Sequence, residues 1–416
     1  MEKTAQPRLE LFASTALGLE SIAAGEIKTI VGAGIPGAGS GKREAGTGKA
    51  KQGVGGASFS GDLEMLYRAN LWLRTASRVL VRLGRFHAST FYELERRAKK
   101  IEWSAFLPGE GAVTVRATCR KSRLYHSDAV AERVAAAIAR VAPPGLRVEQ
   151  AIQDGDNEDE EESQDHPASS QLFVVRIVND EVEISADSSG DLLHRRGYRK
   201  EVAKAPLRET LAAAMVLASG WRKSEPLLDP LCGSGTIPIE AALIARNVAP
   251  GLARDFQFMR WPTFDAPRWN EIVGEARAAA TSASIDVRGS DRDAGAIEAA
   301  KRNAERSPVG GAISFSTASL SESLAGLDDG GRRAGWILTN PPYGVRVGDE
   351  RDLRNLYAVL GTALHRHSDW RVGLLTIDKH LPGQLRLDLR SRFDSRNGGI
   401  AVSFLASEKR KGTDAS

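Results

Sequence analysis

The sequence predicts two joined parts: a mixed α+β region over residues 1–190 and an α/β region over residues 206–410 built on a mostly parallel sheet. Three observations carry this. In the second part short apolar runs alternate with helical patterns, the mark of βαβ units. In the first part strands and helices follow no such alternation, and no nucleotide-phosphate motif occurs. The chain has 416 residues, enough at roughly 100–200 per domain for two or three domains with their own cores.

Taken in order, LELFASTALGLESIAAGEIKTI reads as a short strand and then a helix. Gly32–Gly56 follows, with ten glycines, several lysines and almost no large apolar residue, and reads as a flexible insert. GGASFSGDLEMLYRANLWLRTASRVLVRLGRF gives strand, helix, strand: Leu63, Leu66, Tyr67, Asn70 and Leu71 fit a helical face, while Val79, Val81 and Leu83 alternate. TFYELERRAKKIEW is a helix, AVTVRATC a strand and SDAVAERVAAAIARVA a helix. A second insert covers residues 154–170, and QLFVVRIVNDEVEISADSS then gives two strands around an Asn-Asp turn. The second part opens with a helix, PLRETLAAAMVLASGW. Its strands are LLDPL, IDVRGS, AISFST, GWILTN, RVGLLTI and AVSFLA, separated by helices such as AGAIEAAKRNAERS. In sheets of this kind ligands bind at the carboxyl ends of the strands.

Hydrophobic residues make up 42% and charged residues 26%, which excludes a wholly disordered, collagenous or coiled-coil chain. No apolar run reaches the roughly 18–20 residues of a membrane span, and the N-terminus lacks a signal-peptide pattern. Two cysteines, Cys119 and Cys232, make no disulfide framework. A reducing cytoplasm is the expected compartment. The net charge is +4, yet Asp154–Asp165 alone holds eight acids and no base, so the remainder carries +12. A basic body favours a polyanion partner, though many basic proteins bind no nucleic acid. Arg116, Arg120, Lys121 and Arg123 cluster at a strand end. Arg195, Arg196, Arg199, Lys200 and Lys204 cluster between the two parts, around Tyr198. Such residues suit phosphate contact with a stacking aromatic, and equally a solvated basic face.

Three segments point to chemistry. In LLDPLCGSGTIPIE a strand ends at Asp229, and Gly233 and Gly235 precede a helix beginning near Thr236. Glycines let backbone approach a ligand, and the helix start offers free N–H groups. The spacing is neither a Walker loop nor GxGxxG, and a plain turn competes with the binding reading. IDVRGSDRD places Asp291 at a strand end, where a carboxylate receives ribose hydroxyls; both Asp291 and Asp293 also suit a helix cap. Asn340-Pro341-Pro342-Tyr343-Gly344 follows the strand Gly335–Thr339 directly. Two prolines stiffen the corner, so the Asn340 side chain and Pro341 carbonyl become fixed acceptors beside the Tyr343 ring. That set suits a planar base bearing an exocyclic NH2; a rigid corner without chemistry is the alternative. His365-Arg366-His367 lacks a nearby carboxylate cluster, and no metal is expected. Phe256–Trp269 either shapes a base pocket or covers the sheet.

Asp-Pro-Leu-Cys-Gly-Ser-Gly-Thr followed by Asn-Pro-Pro-Tyr-Gly resembles the paired signatures of class I S-adenosylmethionine-dependent methyltransferases that modify amino groups. DSSGDLLHRRGYRKEVAKAPLRETLAAAMVLASGW, LFASTALGLE, GDLEMLYRANLWLRTASRVL and FYELERRAKKIEW narrow this. They resemble the bacterial 23S rRNA guanine-N2 methyltransferases (RlmL-like) and their tRNA relatives. The resemblance covers nearly the whole chain apart from the two inserts. It implies a Rossmann-like domain with a seven-stranded sheet at 206–410, a ferredoxin-like module at 1–75, a THUMP RNA-binding domain at 76–190 and a basic linker at 191–205.

It further implies that Asp229, Cys232, Gly233, Ser234, Gly235 and Thr236 wrap the methionine part of S-adenosylmethionine, and that Asp291 takes the ribose. Pro206, Arg208 and Glu209 would lie near the cofactor, and Asn340, Pro341, Pro342 and Tyr343 would hold the target guanine. Where relatives often place an Asp for the adenine amine, this chain has Ser319. RNA is the implied partner, with rRNA ahead of tRNA. Asn-Pro-Pro-Tyr also occurs in DNA adenine-N6 and protein glutamine-N5 methyltransferases, and a non-catalytic RNA-binding assembly factor is the rival from another class.

Overall fold

The structure, a computed structural model, describes residues 8–32, 50–150, 170–201, 207–327, 334–343, 350–378 and 380–408. Most of both expected inserts, together with Lys204, Pro206 and Gly344, lies outside the described residues. The described chain divides into two compact units. The first holds residues up to Ala16, Ala23–Leu193 and Arg254–Ala276; the second holds Leu17–Ile22, His194–Ala253 and the chain from Arg277 onward.

The first unit is built on eight strands: β1 (Leu9–Ser14), β2 (Lys51–Gly53), β3 (Gly56–Gly61), β4 (Arg78–His87), β5 (Gly111–Arg120), β6 (Leu146–Gln150), β7 (Ser170–Val178) and β8 (Glu181–Asp187), in the order β2-β3-β1-β4-β8-β7-β5-β6. The β7–β8 hairpin turns on Asn179 and Asp180, both at positive φ, as an Asn-Asp two-residue turn requires. Residues 254–276 fell within the expected 206–410 region, and here they pack in the first unit. Phe258 stacks on Tyr67 with ring centroids 4.7 Å apart, Trp261 Nε1 donates to Gln171 at 2.6 Å, and Arg268 Nε donates to Glu64 at 3.1 Å. Burying rings of this size contributes on the order of 1.5–3 kcal/mol each, which outweighs chain proximity to the second unit. Phe256–Trp269 packs against Tyr67 and Gln171 of the first unit.

The second unit carries β9 (Leu227–Asp229), β10 (Val287–Asp291), β11 (Ile313–Thr317), β12 (Trp336–Thr339), β13 (Arg371–Thr376), β14 (Leu389–Asn397) and β15 (Ile400–Ser407), in the order β11-β10-β9-β12-β13-β15-β14. Pairs from β11 through β13 are parallel, and β15 runs antiparallel to both its neighbours. The mostly parallel seven-stranded sheet expected from the sequence is present. Leu228, Ile337, Val372 and Leu374 pack with Tyr357, Leu360 and Leu364 of the helix Glu350–Arg366 to form its core. The chain runs outward from β9 to β11 and then returns to place β12 beside β9. Such a reversal opens a crevice at the carboxyl ends of the two flanking strands. No helix among the described residues is long and apolar enough to cross a membrane.

Candidate active site

Both motif loops leave the sheet at this reversal. The loop after β9 runs from Asp229 to the helix Thr236–Ala245, with Gly233 at φ 52° and Gly235 at φ 85°. Gly235 tolerates no side chain for a second reason: a Cβ there would lie 3.0 Å from Ala300 Cβ and 3.2 Å from the Phe315 ring. Cys232 is buried, and its N–H donates to the Ser290 carbonyl at 2.9 Å, tying the loop to β10. Ser234 and Thr236 are buried as well.

Asp229 is 1% exposed; burial pushes its carboxyl up to about 7, against the Thr339 hydroxyl and the Leu231 N–H, which donates at 3.2 Å. Asp291, at the end of β10, accepts from Gly233 N–H and Asp293 N–H, each at 3.0 Å, one on each oxygen. Each oxygen keeps a further acceptor direction, the pair of acceptors that the two hydroxyls of a ribose diol can donate to. Asp293 is a helix cap: its side chain accepts from Gly295 and Ala296 N–H. Ser319 caps the helix Leu320–Ala325 in a capping box, donating to Glu322 at 2.7 Å while accepting from Glu322 N–H at 3.3 Å.

At the end of β12, Pro341 is buried and Pro342 exposed. Asn340 Oδ1 is buried with no hydrogen-bond partner among the described residues. An acceptor left this way costs about 1–3 kcal/mol unless a ligand supplies the donor. Tyr343 is held by Asn397 Nδ2, which donates to its hydroxyl at 3.2 Å, and burial pushes the phenol above its usual range. The sequence reading missed Asn397 and the whole of β14. Its signal was Asn397-Gly398-Gly399, a two-residue turn with φ 57° and 84° at the glycines, after an alternation that buries Phe393, Ser395 and Asn397.

Several expected contacts fall elsewhere. Glu209 is buried, and the Arg199 guanidinium forks onto it, Nε at 2.9 Å and Nη2 at 3.0 Å; Arg208 precedes that helix as its cap residue. Arg196 and Tyr198 are 3% exposed and both engage Glu240, at 3.5 and 3.0 Å. Arg116 is buried mid-strand in β5. The expectation that Arg116, Arg196, Tyr198 and Arg199 face RNA is corrected: interior packing and internal carboxylates take their side chains. Lys121, Arg123, Arg195 and Lys200 are exposed, and Arg120 is half-buried.

The sheet order, the glycine loop after β9 and the Asn-Pro-Pro-Tyr corner after β12 together define a class I methyltransferase fold. Residues 196–403 match the RMKL-like methyltransferase domain, 43–80 the RlmL ferredoxin-like domain and 88–150 the THUMP domain. The chain is 33% identical over 400 residues to a putative RNA methyltransferase of Synechocystis sp., covering 95% of this chain and 96% of that protein. It is 37% identical over 361 residues to the ribosomal RNA large subunit methyltransferase K/L of Syntrophotalea carbinolica, covering 84% of this chain and 48% of that protein. The chain thus spans about half the length of that enzyme. A putative methyltransferase solved in complex with SAH superposes with a TM-score of 0.79 at 26% identity, covering 98% of this chain and 100% of that one. This chain belongs to the RMKL-like methyltransferase family, with ferredoxin-like and THUMP domains ahead of the catalytic one.

Proposed function

We propose that this protein is an RNA methyltransferase that moves a methyl group from S-adenosylmethionine to the exocyclic N2 amine of a guanine in 23S rRNA. The observation that carries the reading is Asn340 Oδ1, a buried acceptor without a partner, at the end of the strand beside the glycine loop. The cofactor use follows from the family and from the SAH complex of its structural relative. The residues fit it: the Asp291 carboxylate to accept from the ribose hydroxyls, and the backbone of Cys232–Thr236 for the methionine end.

When bound, S-adenosylmethionine supplies a methyl group on a positive sulfur, which leaves with the bonding electron pair. The residues here prepare the amine. Asn340 Oδ1 and the Pro341 carbonyl accept its two hydrogens, which turns the nitrogen lone pair out of conjugation and aims it. Tyr343, steadied by Asn397, offers a ring face for the base. The nitrogen, cationic once methylated, releases a proton to water, and positioning with electrostatics supplies most of the rate. The THUMP match and the exposed Lys121 and Arg123 support RNA as the substrate.

Asn340→Ala tests the assignment. Losing one such acceptor is expected to lower kcat on the order of 100-fold, while SAH affinity stays within about threefold of wild type. A variant that transfers methyl groups at the wild-type rate removes Asn340 from the mechanism.

A further inference from the structure

The helix Ala294–Glu305 carries Asp293 at its start and meets the glycine loop through Ala300. One of its side chains has no part in the chemistry above. Asn303 is fully buried and makes five hydrogen bonds. Its Nδ2 donates to the Ser234 carbonyl at 3.1 Å and the Glu201 carbonyl at 3.0 Å. Its Oδ1 accepts from Lys200 N–H and Glu201 N–H, each at 3.2 Å, and from Arg306 Nη1 at 3.1 Å. These partners fix the amide: turned over, its N–H groups would face three donors and its oxygen two carbonyls.

The Ser234–Gly235 peptide is therefore held at both ends. Asn303 takes its carbonyl, and its N–H donates to the Cys232 carbonyl at 2.8 Å. On the far side of Asn303 the Glu201 carboxylate is gripped by Arg302 Nε at 2.7 Å and Arg306 Nη2 at 2.9 Å, which hold its carboxyl down to about 2. Lys200–Glu201 and the loop after β9 thus meet on one carboxamide.

We propose that Asn303 is a positioning residue for the cofactor, locking the Ser234–Gly235 turn to Lys200–Glu201 so that the glycine loop keeps a single binding-ready shape. The proposal rests on the methyltransferase reading of that loop. Asp in its place keeps the acceptors but sets an anion against two carbonyls; Ala removes all five hydrogen bonds.

The test is SAH binding by calorimetry to the full chain, with thermal melting in parallel. For Asn303→Asp the SAH Kd is expected to rise at least about tenfold at about pH 8. Its ratio to the wild-type Kd should fall toward one near about pH 5, as the new carboxyl takes a proton and regains one donor. KM for RNA should stay unchanged. A folded variant that binds SAH within twofold of wild type at the higher pH, or a deficit that acid does not relieve, overturns the proposal. If Asn303→Asp does not fold, Arg302→Ala combined with Arg306→Ala decides: weaker SAH binding with melting retained supports the clamp, and wild-type affinity overturns it. A wild-type chain that binds no SAH sinks the methyltransferase reading itself, a separate result from loss in the variants alone.

Discussion

Two arginine-rich stretches that read alike in the sequence end in opposite surroundings. In the loop after β5, Lys121 and Arg123 are exposed, and the backbone is set rather than loose: Lys121 has φ 47°, and Arg123 N–H donates to Asp180 at 2.7 Å. Between His194 and Glu201, Arg196, Tyr198 and Arg199 turn inward, while Arg195 and Lys200 stay exposed. Arg196 and Tyr198 share Glu240, and Arg199 forks onto Glu209. His194 beside them is pushed down to about 2, by burial first and then by Arg208, Arg199 and their neighbours. Positive charge in a sequence says that anions will be met, not whether they are phosphates or interior carboxylates. Here the carboxylates that capture the second stretch come from later helices, Glu209 and Glu240.

The comparison breaks most visibly at Glu240. Glu240→Ala removes the buried carboxylate that Arg196 and Tyr198 share, and about 3–5 kcal/mol of stability should be lost, read as an earlier denaturant midpoint for the second unit. A change under about 0.5 kcal/mol, as at an exposed pair, would return Arg196 to the surface.

Asp229 sharpens the contrast, because it is a buried carboxyl without an arginine. Its folded value of about 7 lies above the ordinary 3.8, so folding is unpenalised below about pH 4 and loses stability as pH rises through 7. Asp229→Asn should therefore gain stability relative to wild type, a few kcal/mol at about pH 8 and little at about pH 4. A difference in Tm that ignores pH contradicts this.

Tyr198→Phe removes one donor from Glu240 and should cost about 1–3 kcal/mol. Smallest in stability is the exposed loop. Lys121→Glu with Arg123→Glu should leave Tm within a degree or two. It should weaken RNA binding on the order of tenfold and lower the salt slope by about two. Unchanged RNA affinity would make that loop a solvated face.

Much of the fold was legible because it rests on local pattern. The apolar runs at β9, β10 and β12 lead to Asp229, Asp291 and Asn340 at their ends, and the alternation with helices predicts parallel pairing with β13 as well. Strand β14 was not read, because Leu389–Asn397 presents three arginines, Ser391 and Asp394 outward and buries mainly Phe393, Ser395 and Asn397. The place of Arg254–Ala276 in the first unit was equally hidden: it depends on Tyr67 and Gln171, far away in the chain. Asn303 carries no motif at all, since its meaning lies in Ser234 and Glu201 meeting across the fold.

The central claim is that the Asn340 corner presents a guanine amine for methylation. It is tested most directly by deleting the gene, digesting 23S rRNA and tRNA to nucleosides, and measuring methylated bases by mass spectrometry. The account predicts that one N2-methylguanosine disappears from 23S rRNA and returns with the wild-type chain but not with Asn340→Ala. Loss from tRNA alone, loss of a methyladenosine instead, or no loss from either RNA would contradict it.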